Sequence, residues 1–129
     1  DITWESIKCN REGVRYSSIM AAFPDVQFYD YTKAPMRPKA VALDNYHLTF
    51  SMTENNDDSA ALALANGMNV AVVFRKELPE AYTIRETTAP VVNGDSTDLR
   101  FRDPEGVVVG LKAKGGAKKD TSGFVREAA

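Results

Sequence analysis

Residues 46–74 read YHLTFSMTENNDDSAALALANGMNVAVVF, and this stretch decides the fold. Residues 46–51 and 69–74 are rich in aromatic and β-branched side chains, which predicts two strands. Between them, polar residues able to cap a helix precede an alanine- and leucine-rich run that ends at Asn66-Gly67, a helix stop signal. A strand, a short helix and a strand joined by tight loops predict a βαβ unit with parallel strands.

Upstream of this unit the sequence predicts one helix and one strand. YSSIMAAFP, residues 16–24, has apolar residues at helical spacing, and Pro24 ends the helix at Phe23. The run VQFYDY, residues 26–31, is the predicted strand. The linker at residues 34–45 carries two prolines and separated charges, which predicts an irregular surface loop.

Downstream, residues 76–90 are predicted to be a polar excursion with one helical turn. Residues 91–92 and 107–111 are β-prone. Residues 99–102 either form an antiparallel hairpin with the last run or belong to a loop that feeds a last parallel strand, and we favour the loop. Phe124 and Val125 are expected to pack as a small hook. The predicted fold class is therefore α/β, with a mainly parallel sheet of about four or five strands and short helices.

Composition fits one globular domain over residues 1–129. The formal net charge of −2 gives no whole-protein attraction to nucleic acid or to anionic membranes. A single cysteine, Cys9, excludes an intramolecular disulfide and a multi-cysteine metal site within this chain, and it favours a reducing, cytoplasmic setting. No apolar run approaches the roughly 20 residues that a membrane helix needs.

Alternate residues of the predicted strands form an apolar set and a small or polar set. We assign the apolar set to the side that the helices cover, and it includes Phe50, Val70, Val107, Val109 and Leu111. The polar set has charged members at the carboxyl ends of the strands, where ligands bind in open parallel sheets and (β/α) barrels. An antiparallel sheet with a solvated face would show the same alternation. The predicted ligand-binding residues are Tyr31, Lys33, Ser51, Glu54, Arg75 and Lys112.

His47 is the only histidine of the chain. Within a strand, a histidine is more often a buried, hydrogen-bonded residue than a catalytic base. If it lines the site, it is the candidate general acid or base, because its ordinary pKa of about 6.5 suits proton transfer at neutral pH. Neither Thr49 nor Ser51 has the sequence context of a nucleophile.

Two loops carry weaker signals. Asp95, Asp98 and Asp103 miss the spacing of a calcium loop, so solvated turn carboxylates are expected and no metal site is predicted. KAKGGAKK, residues 112–119, places lysines around two glycines. Backbone amides in such a loop can cradle a phosphate, and a flexible basic loop is the alternative.

Several segments together resemble one protein family. They are PDVQFYDYTK (24–33), NYHLTFSMTEN (45–55), ANGMNVAVVF (65–74), NGDSTDLRFRDPEGVVVGLKAKG (93–115) and DTSGFV (120–125). They are similar to the C-terminal half of a family of uncharacterised proteins encoded by bacteriophages, plasmids and related bacterial elements. Longer members resemble (β/α) barrels whose N-terminal half contains cysteines, in the manner of radical-SAM architecture. The resemblance implies half of such a barrel in a bacterial cytoplasm, and with Cys9 alone it implies no iron–sulfur chemistry for this chain.

We therefore expect a phage or mobile-element accessory protein with a polar pocket at the strand carboxyl ends, which binds a nucleotide or another anionic ligand. The alternative is a non-catalytic interaction protein, such as a phage inhibitor of host defence, that binds a macromolecular partner, for example a host protein. An open sheet edge also favours pairing with a second copy or with a missing N-terminal half. The sequence assigns neither a cofactor nor a reaction.

Overall fold

The structure, a computed structural model, describes residues 1–128. Short strands alternate with short helices along the chain. In chain order they are β1 (Cys9–Arg11), β2 (Val14–Tyr16), α1 (Ile19–Ala22), β3 (Phe28–Thr32), α2 (Pro38–Val41), β4 (Tyr46–Ser51), α3 (Asp57–Ala65), β5 (Asn69–Phe74), β6 (Ala81–Ile84), β7 (Thr87–Asn93), β8 (Val108–Lys112) and β9 (Val125–Arg126). Single 3₁₀ turns lie at Trp4–Ser6, Arg100–Arg102 and Gly115–Lys119.

The βαβ unit predicted from residues 46–74 is confirmed. β4 and β5 are parallel neighbours, with Phe50 opposite Val70. The helix between them, α3, stops before Gly67, whose φ of 88° lies in the left-handed region that glycine adopts without steric cost. The local signals are strong here, so the predicted strand bounds agree with the observed ones.

The main sheet contains seven strands within residues 1–128, in the order β3-β4-β5-β8-β7-β6, and β9 pairs with the end of β5. All neighbours are parallel except β6 and β7. The predicted α/β class and mainly parallel sheet are confirmed, but four or five strands were too few. The prediction of an irregular polar segment at residues 76–90 is wrong. This segment contains β6 and the start of β7, which form an antiparallel hairpin, and its turn includes Arg85 at φ 55° with no glycine. The sheet keeps open edges at β3 and β6, and the likeness to half of a (β/α) barrel is not confirmed.

Helices α1, α2 and α3 cover one face of the sheet. The larger core lies under α3 and is built by Phe50, Val70, Val72, Phe74 and Val108 against Ala60, Ala63 and Leu64. A second cluster under α1 and α2 joins Met20 and Ala40 to Tyr46 and Leu48. Removing this apolar surface from water is the main stabilising term of the fold. Of the helices in residues 1–128, none is long and apolar enough to cross a membrane.

The opposite face, here called the helix-free face, is covered by the connection from β7 to β8. Ala71, Val107 and Val109 are buried there. The ring of Phe101 in the connection packs on the ring of Tyr29, with centroids 5.2 Å apart. This connection is the loop that we favoured over a hairpin, and β8 is parallel to both of its neighbours.

The predicted phase of the last strand is wrong. Val108, not Val107, pairs with Val70, so Val107, Val109 and Leu111 lie on the helix-free face and Lys112 has the phase of the other face. Both faces of β8 are apolar, and alternation therefore cannot distinguish them. The register is fixed by the side chain of Asn69, which accepts a hydrogen bond from the Val107 N–H at 3.0 Å and donates to the Pro104 carbonyl at 2.7 Å.

The N-terminal predictions need two corrections. The predicted helix at residues 16–24 is one turn long, because Ser18 caps it and accepts a hydrogen bond from the Ala21 N–H. Tyr16 belongs instead to the small β1–β2 hairpin. The linker at residues 34–45 contains α2, which begins at Pro38, a residue well suited to the first turn of a helix.

Candidate functional site

A cleft of about 340 Å³ opens at the carboxyl edge of the parallel strands. Its apolar floor is formed by Val73 of β5 and Leu111 of β8. Parallel strands direct their carboxyl ends to one edge, so residues that follow different strands meet there. The polar and aromatic residues that line this carboxyl-edge cleft are Tyr31, Asp95, Asp98, Lys112, Lys114 and Phe124, and Lys112 takes part through its backbone N–H at the end of β8.

Asp95 organises the lysines on one wall of the cleft. Its Oδ2 accepts a hydrogen bond from the Lys112 N–H at 3.0 Å, and its Oδ1 lies 3.3 Å from Lys114 Nζ. Burial by itself would raise the pKa of Asp95, but the bond from the Lys112 N–H and the Lys114 ammonium outweigh it and hold that pKa below its usual value. Asp95 is therefore ionised and neutralises one lysine, and within residues 1–128 the Lys112 ammonium forms no ion pair.

Tyr31 stands on the opposite wall, at the end of edge strand β3, with 45 % of its surface exposed. Burial of the hydroxyl raises its pKa above the usual value, and Asp98 adds to the increase while the Arg100 cation opposes it. The phenol is thus neutral around pH 7 and can donate a hydrogen bond into the cleft.

Arg100 lies directly behind this wall and is 1 % exposed. Its Nη2 donates to the carbonyl oxygens of Gly94, at 3.1 Å, and Thr97. Its Nε faces Asp103 Oδ2 at 3.3 Å, in an ion pair without hydrogen-bond alignment. Arg100 occupies the space that a side chain on Gly94 would fill, since a Cβ built there would overlap Nη1.

The structure places His47 away from the cleft. On β4, His47 lies opposite Tyr29 and two residues before Thr49. Together with Asn69 and Glu105, it lines a separate pocket of about 200 Å³ at the amino end of β5. Its Nδ1 is buried without a protein partner among the described residues. Burial lowers the pKa of His47, and the charge of Asp103 opposes that decrease.

Of the predicted ligand-binding residues, the structure brings Tyr31 and Lys112 into one cleft. Lys33 follows β3, and its N–H donates to Asp1 at 3.1 Å. Arg75 fastens the C-terminal segment instead, with 2.7 Å hydrogen bonds to the carbonyls of Lys118 and Asp120. Both residues follow their strands as expected, but Lys33 is exposed outside the cleft lining and the C-terminal segment packs against Arg75.

Ser51 and Glu54 also lie outside the cleft lining. The Ser51 carbonyl accepts a hydrogen bond from the Asn56 side chain at 3.1 Å, which shapes the loop into α3. Glu54 is exposed in that loop, and Gly123 approaches it. Their positions fit a structural role in the connection between β4 and α3.

Sequence reasoning missed Arg100 and Phe124 as members of the site, and it named Lys114 only as part of the basic loop at residues 112–119. Arg100 lies between Leu99 and Phe101, in a segment that also contains three aspartates. A charged residue flanked by two large apolar ones was the available signal for a buried cation. The three aspartates were interpreted as solvated, whereas Asp95 and Asp103 form ion pairs. Across residues 1–128, no three His, Cys, Asp or Glu side chains are grouped to hold a metal ion.

The fold and this edge define an α/β domain with a mainly parallel sheet and a polar cleft at its carboxyl edge. The sequence profile of the family described as Gene product 88 matches residues 1–128. The chain belongs to the Gene product 88 family, a phage-type family of uncharacterised proteins, as the resemblance implied. Comparison with curated proteins found no match, and comparison with solved structures found none either.

Proposed function

We propose that this protein is a phage-type accessory protein that binds a small anionic ligand of the nucleotide class in the carboxyl-edge cleft. The observation that carries the proposal is one cleft of about 340 Å³ lined by two lysines, two aspartates and two aromatic residues. That volume lies within the usual range for small-molecule sites, roughly 300–1,000 Å³. The position also agrees with the general location of ligands in open parallel sheets.

The side chains divide naturally between the two parts of a nucleotide. Lys112, which forms no ion pair within residues 1–128, and Lys114, whose charge Asp95 shares, supply positive charge for phosphate oxygens, and Lys118 and Lys119 stand exposed in the adjoining 3₁₀ turn. Tyr31 supplies an exposed ring on which a base can stack and a hydroxyl that can donate. The proposal concerns binding, since His47 lies on a different pocket.

The test is a thermal-shift screen with AMP, ADP, ATP and inorganic phosphate, followed by titration calorimetry. A ligand that binds only the folded protein raises its melting temperature by mass action. We expect the Lys112→Ala/Lys114→Ala double variant to lose about tenfold or more in affinity, because charge-assisted hydrogen bonds are the strong ones. The control is Lys39→Ala, an exposed lysine of α2 on the other face of the sheet. Wild-type protein with no response to any of these compounds would contradict the proposal.

A second candidate function is protein interaction, and the observation that favours it is the open edge of β3. β3 pairs with β4 on one side, and no other strand of residues 1–128 pairs with it. Its Phe28 N–H donates toward β4 at 2.8 Å, so by alternation the N–H of Tyr29 points away from the sheet. A strand from a second copy, from an N-terminal half or from a host protein can pair along this edge.

Tyr29→Pro tests this interaction, with Tyr29→Ala as its matched control. Both variants lose the ring, but only proline removes the outward N–H and obstructs an added strand. Multi-angle light scattering should show self-association in wild type and Tyr29→Ala and its loss in Tyr29→Pro, if a second copy is the partner. Equal association of the two variants would contradict pairing through β3.

A further inference from the structure

Arg100 is the one large cation of the described chain that is almost completely buried without a full set of acceptors. It begins the 3₁₀ turn Arg100–Arg102 in the connection that covers the helix-free face. A guanidinium has five N–H groups and can lose none of them by deprotonation at ordinary pH. Every one of these groups therefore needs an acceptor once water is excluded.

The acceptors from the protein satisfy part of the guanidinium. Nη2 bonds to the Gly94 and Thr97 carbonyls, and Nε has Asp103 Oδ2 at 3.3 Å. For the two hydrogens of Nη1, no acceptor within residues 1–128 is aligned for a full hydrogen bond, although the Tyr31 hydroxyl is close enough to interact with the guanidinium. Leaving a buried donor of a charged group without an acceptor is costly, and native proteins keep few of them. Nε and Nη1 are thus both left without a well-aligned acceptor, and Nη1 is the one that lies beside Gly94.

Nη1 lies next to the carboxyl-edge cleft. It sits where a side chain on Gly94 would project, and Gly94 itself lines the cleft. The absence of a side chain at position 94 is what lets the guanidinium approach this wall. The Tyr31 hydroxyl is near enough for the Arg100 charge to act on it, and the Tyr31 ring is partly exposed. Nη1 itself is closed to solvent, so an anion reaches it only when the partly exposed Tyr31 side chain moves aside.

We infer that Arg100 Nη1 binds an oxyanion of the ligand, a phosphate or carboxylate group that enters beside Gly94 and under Tyr31. This inference rests on the proposed function and names the residue that recognises the anion. Arg100 supplies the two charged N–H donors of Nη1, which make strong hydrogen bonds to phosphate and carboxylate oxygens, and the Tyr31 hydroxyl supplies a further donor. Lys112 and Lys114 then attract the anion to the cleft, while Arg100 fixes its orientation.

The deciding experiment compares Arg100→Lys with Arg102→Lys by calorimetric titration of inorganic phosphate, AMP and acetate. Arg100→Lys keeps the charge but loses the two Nη1 donors at their position beside Gly94, and Arg102 is an exposed arginine two residues along the same turn. We expect Arg100→Lys to weaken the binding of the preferred probe at least tenfold, and Arg102→Lys to leave it unchanged. A preference for phosphate and AMP or for acetate distinguishes the two sources of the oxyanion.

A direct readout keeps the inference testable if Arg100→Lys does not fold. In wild-type protein labelled with ¹⁵N, the Arg100 guanidinium resonances should shift as the bound probe saturates, and those of Arg102 should not. If the probe binds in a manner that depends on Lys112 and Lys114 while Arg100 neither shifts nor matters, the role of Arg100 is overturned and the proposed function stands. If wild-type protein binds none of the probes, both are overturned.

Discussion

Arg126 Nη2 in β9 lies 2.7 Å from Oδ1 of Asp57 at the start of α3, and Arg126 Nη1 lies 3.3 Å from the second carboxylate oxygen. The same guanidinium donates to the Thr53 carbonyl. These contacts fasten a two-residue strand to the helix that crosses over the sheet. The hydrogen bonds from Arg126 lower the pKa of Asp57 below its usual value.

Asp57→Asn is expected to reduce the free energy of unfolding by about 1–2 kcal/mol at pH 7, the range for a partly exposed charge-assisted pair. Because the folded-state pKa of Asp57 is lowered, its contribution is present above the unfolded value of about 3.9 and is lost as the pH falls further. Between pH 5 and pH 3, the free energy of unfolding measured with urea should fall more for the wild type than for Asp57→Asn. Asp58→Asn is the control, since the Asp58–Arg85 pair is largely exposed. Equal pH dependence in all three proteins would refute the assignment.

Glu5 and Arg37 form the most enclosed ion pair of the N-terminal segment. Both side chains are 5 % exposed, and Arg37 Nε donates to Glu5 Oε2 at 2.9 Å. Replacing one partner leaves the other charge buried, which costs roughly 3–5 kcal/mol. Glu5→Gln should therefore lower the urea midpoint far more than Glu77→Gln, at an exposed glutamate without an ion pair within residues 1–128. Similar midpoints for the two variants would show that the pair adds little.

Gly94→Ala is expected to destabilise the fold by about 1–3 kcal/mol, the usual cost of an added methyl group in a filled site. The new Cβ would lie 2.8 Å from Leu111 Cδ2 and would overlap the Arg100 guanidinium. Gly116→Ala should be close to neutral, since no atom lies within 4 Å of a Cβ at that position. Thermal unfolding of the two variants measures the difference. A neutral Gly94→Ala would mean that Arg100 can leave its place at little cost.

His47 should make stability depend on pH near neutrality. Burial is the main cause that lowers its pKa in the folded state. The unfolded chain therefore binds the proton more readily, and stability falls as the pH drops below the unfolded value of about 6.5 toward the folded one. As the single histidine of the chain, His47 can be titrated directly by NMR. We expect a pKa below 6.5 and a smaller loss of stability between pH 7 and pH 5 in His47→Gln, whereas a raised pKa would reverse the sign.

The βαβ unit could be predicted from the sequence because each of its structural signals lies within a few residues of the chain. β4, α3 and β5 were predicted with nearly their observed bounds, since periodicity, a polar entry and Asn66-Gly67 agree with one another. The β6–β7 hairpin was missed for a local reason as well. Its turn contains Arg85 at a positive φ. Arginine rarely adopts this conformation, so the sequence gives no signal for a turn at this position.

The candidate site could be predicted only in part, because its residues are far apart in the sequence and are brought together by the pairing of the strands. Tyr31 and Lys112 were named from strand ends, and they line one cleft. Arg75 was named on the same grounds, yet it binds the carbonyls of Lys118 and Asp120. A residue at a strand end reaches the rim only if no later segment packs over it, and sequence pattern does not show which segments will.

By itself, then, the sequence determined the α/β class and the βαβ unit. Those features depend on side-chain periodicity and on turn residues within one short window. The tertiary structure alone decided the register of β8 and the burial of Arg100. Both faces of β8 are apolar, so only the Asn69 contacts select its phase, and only the folded connection between β7 and β8 places a charged guanidinium beside Gly94.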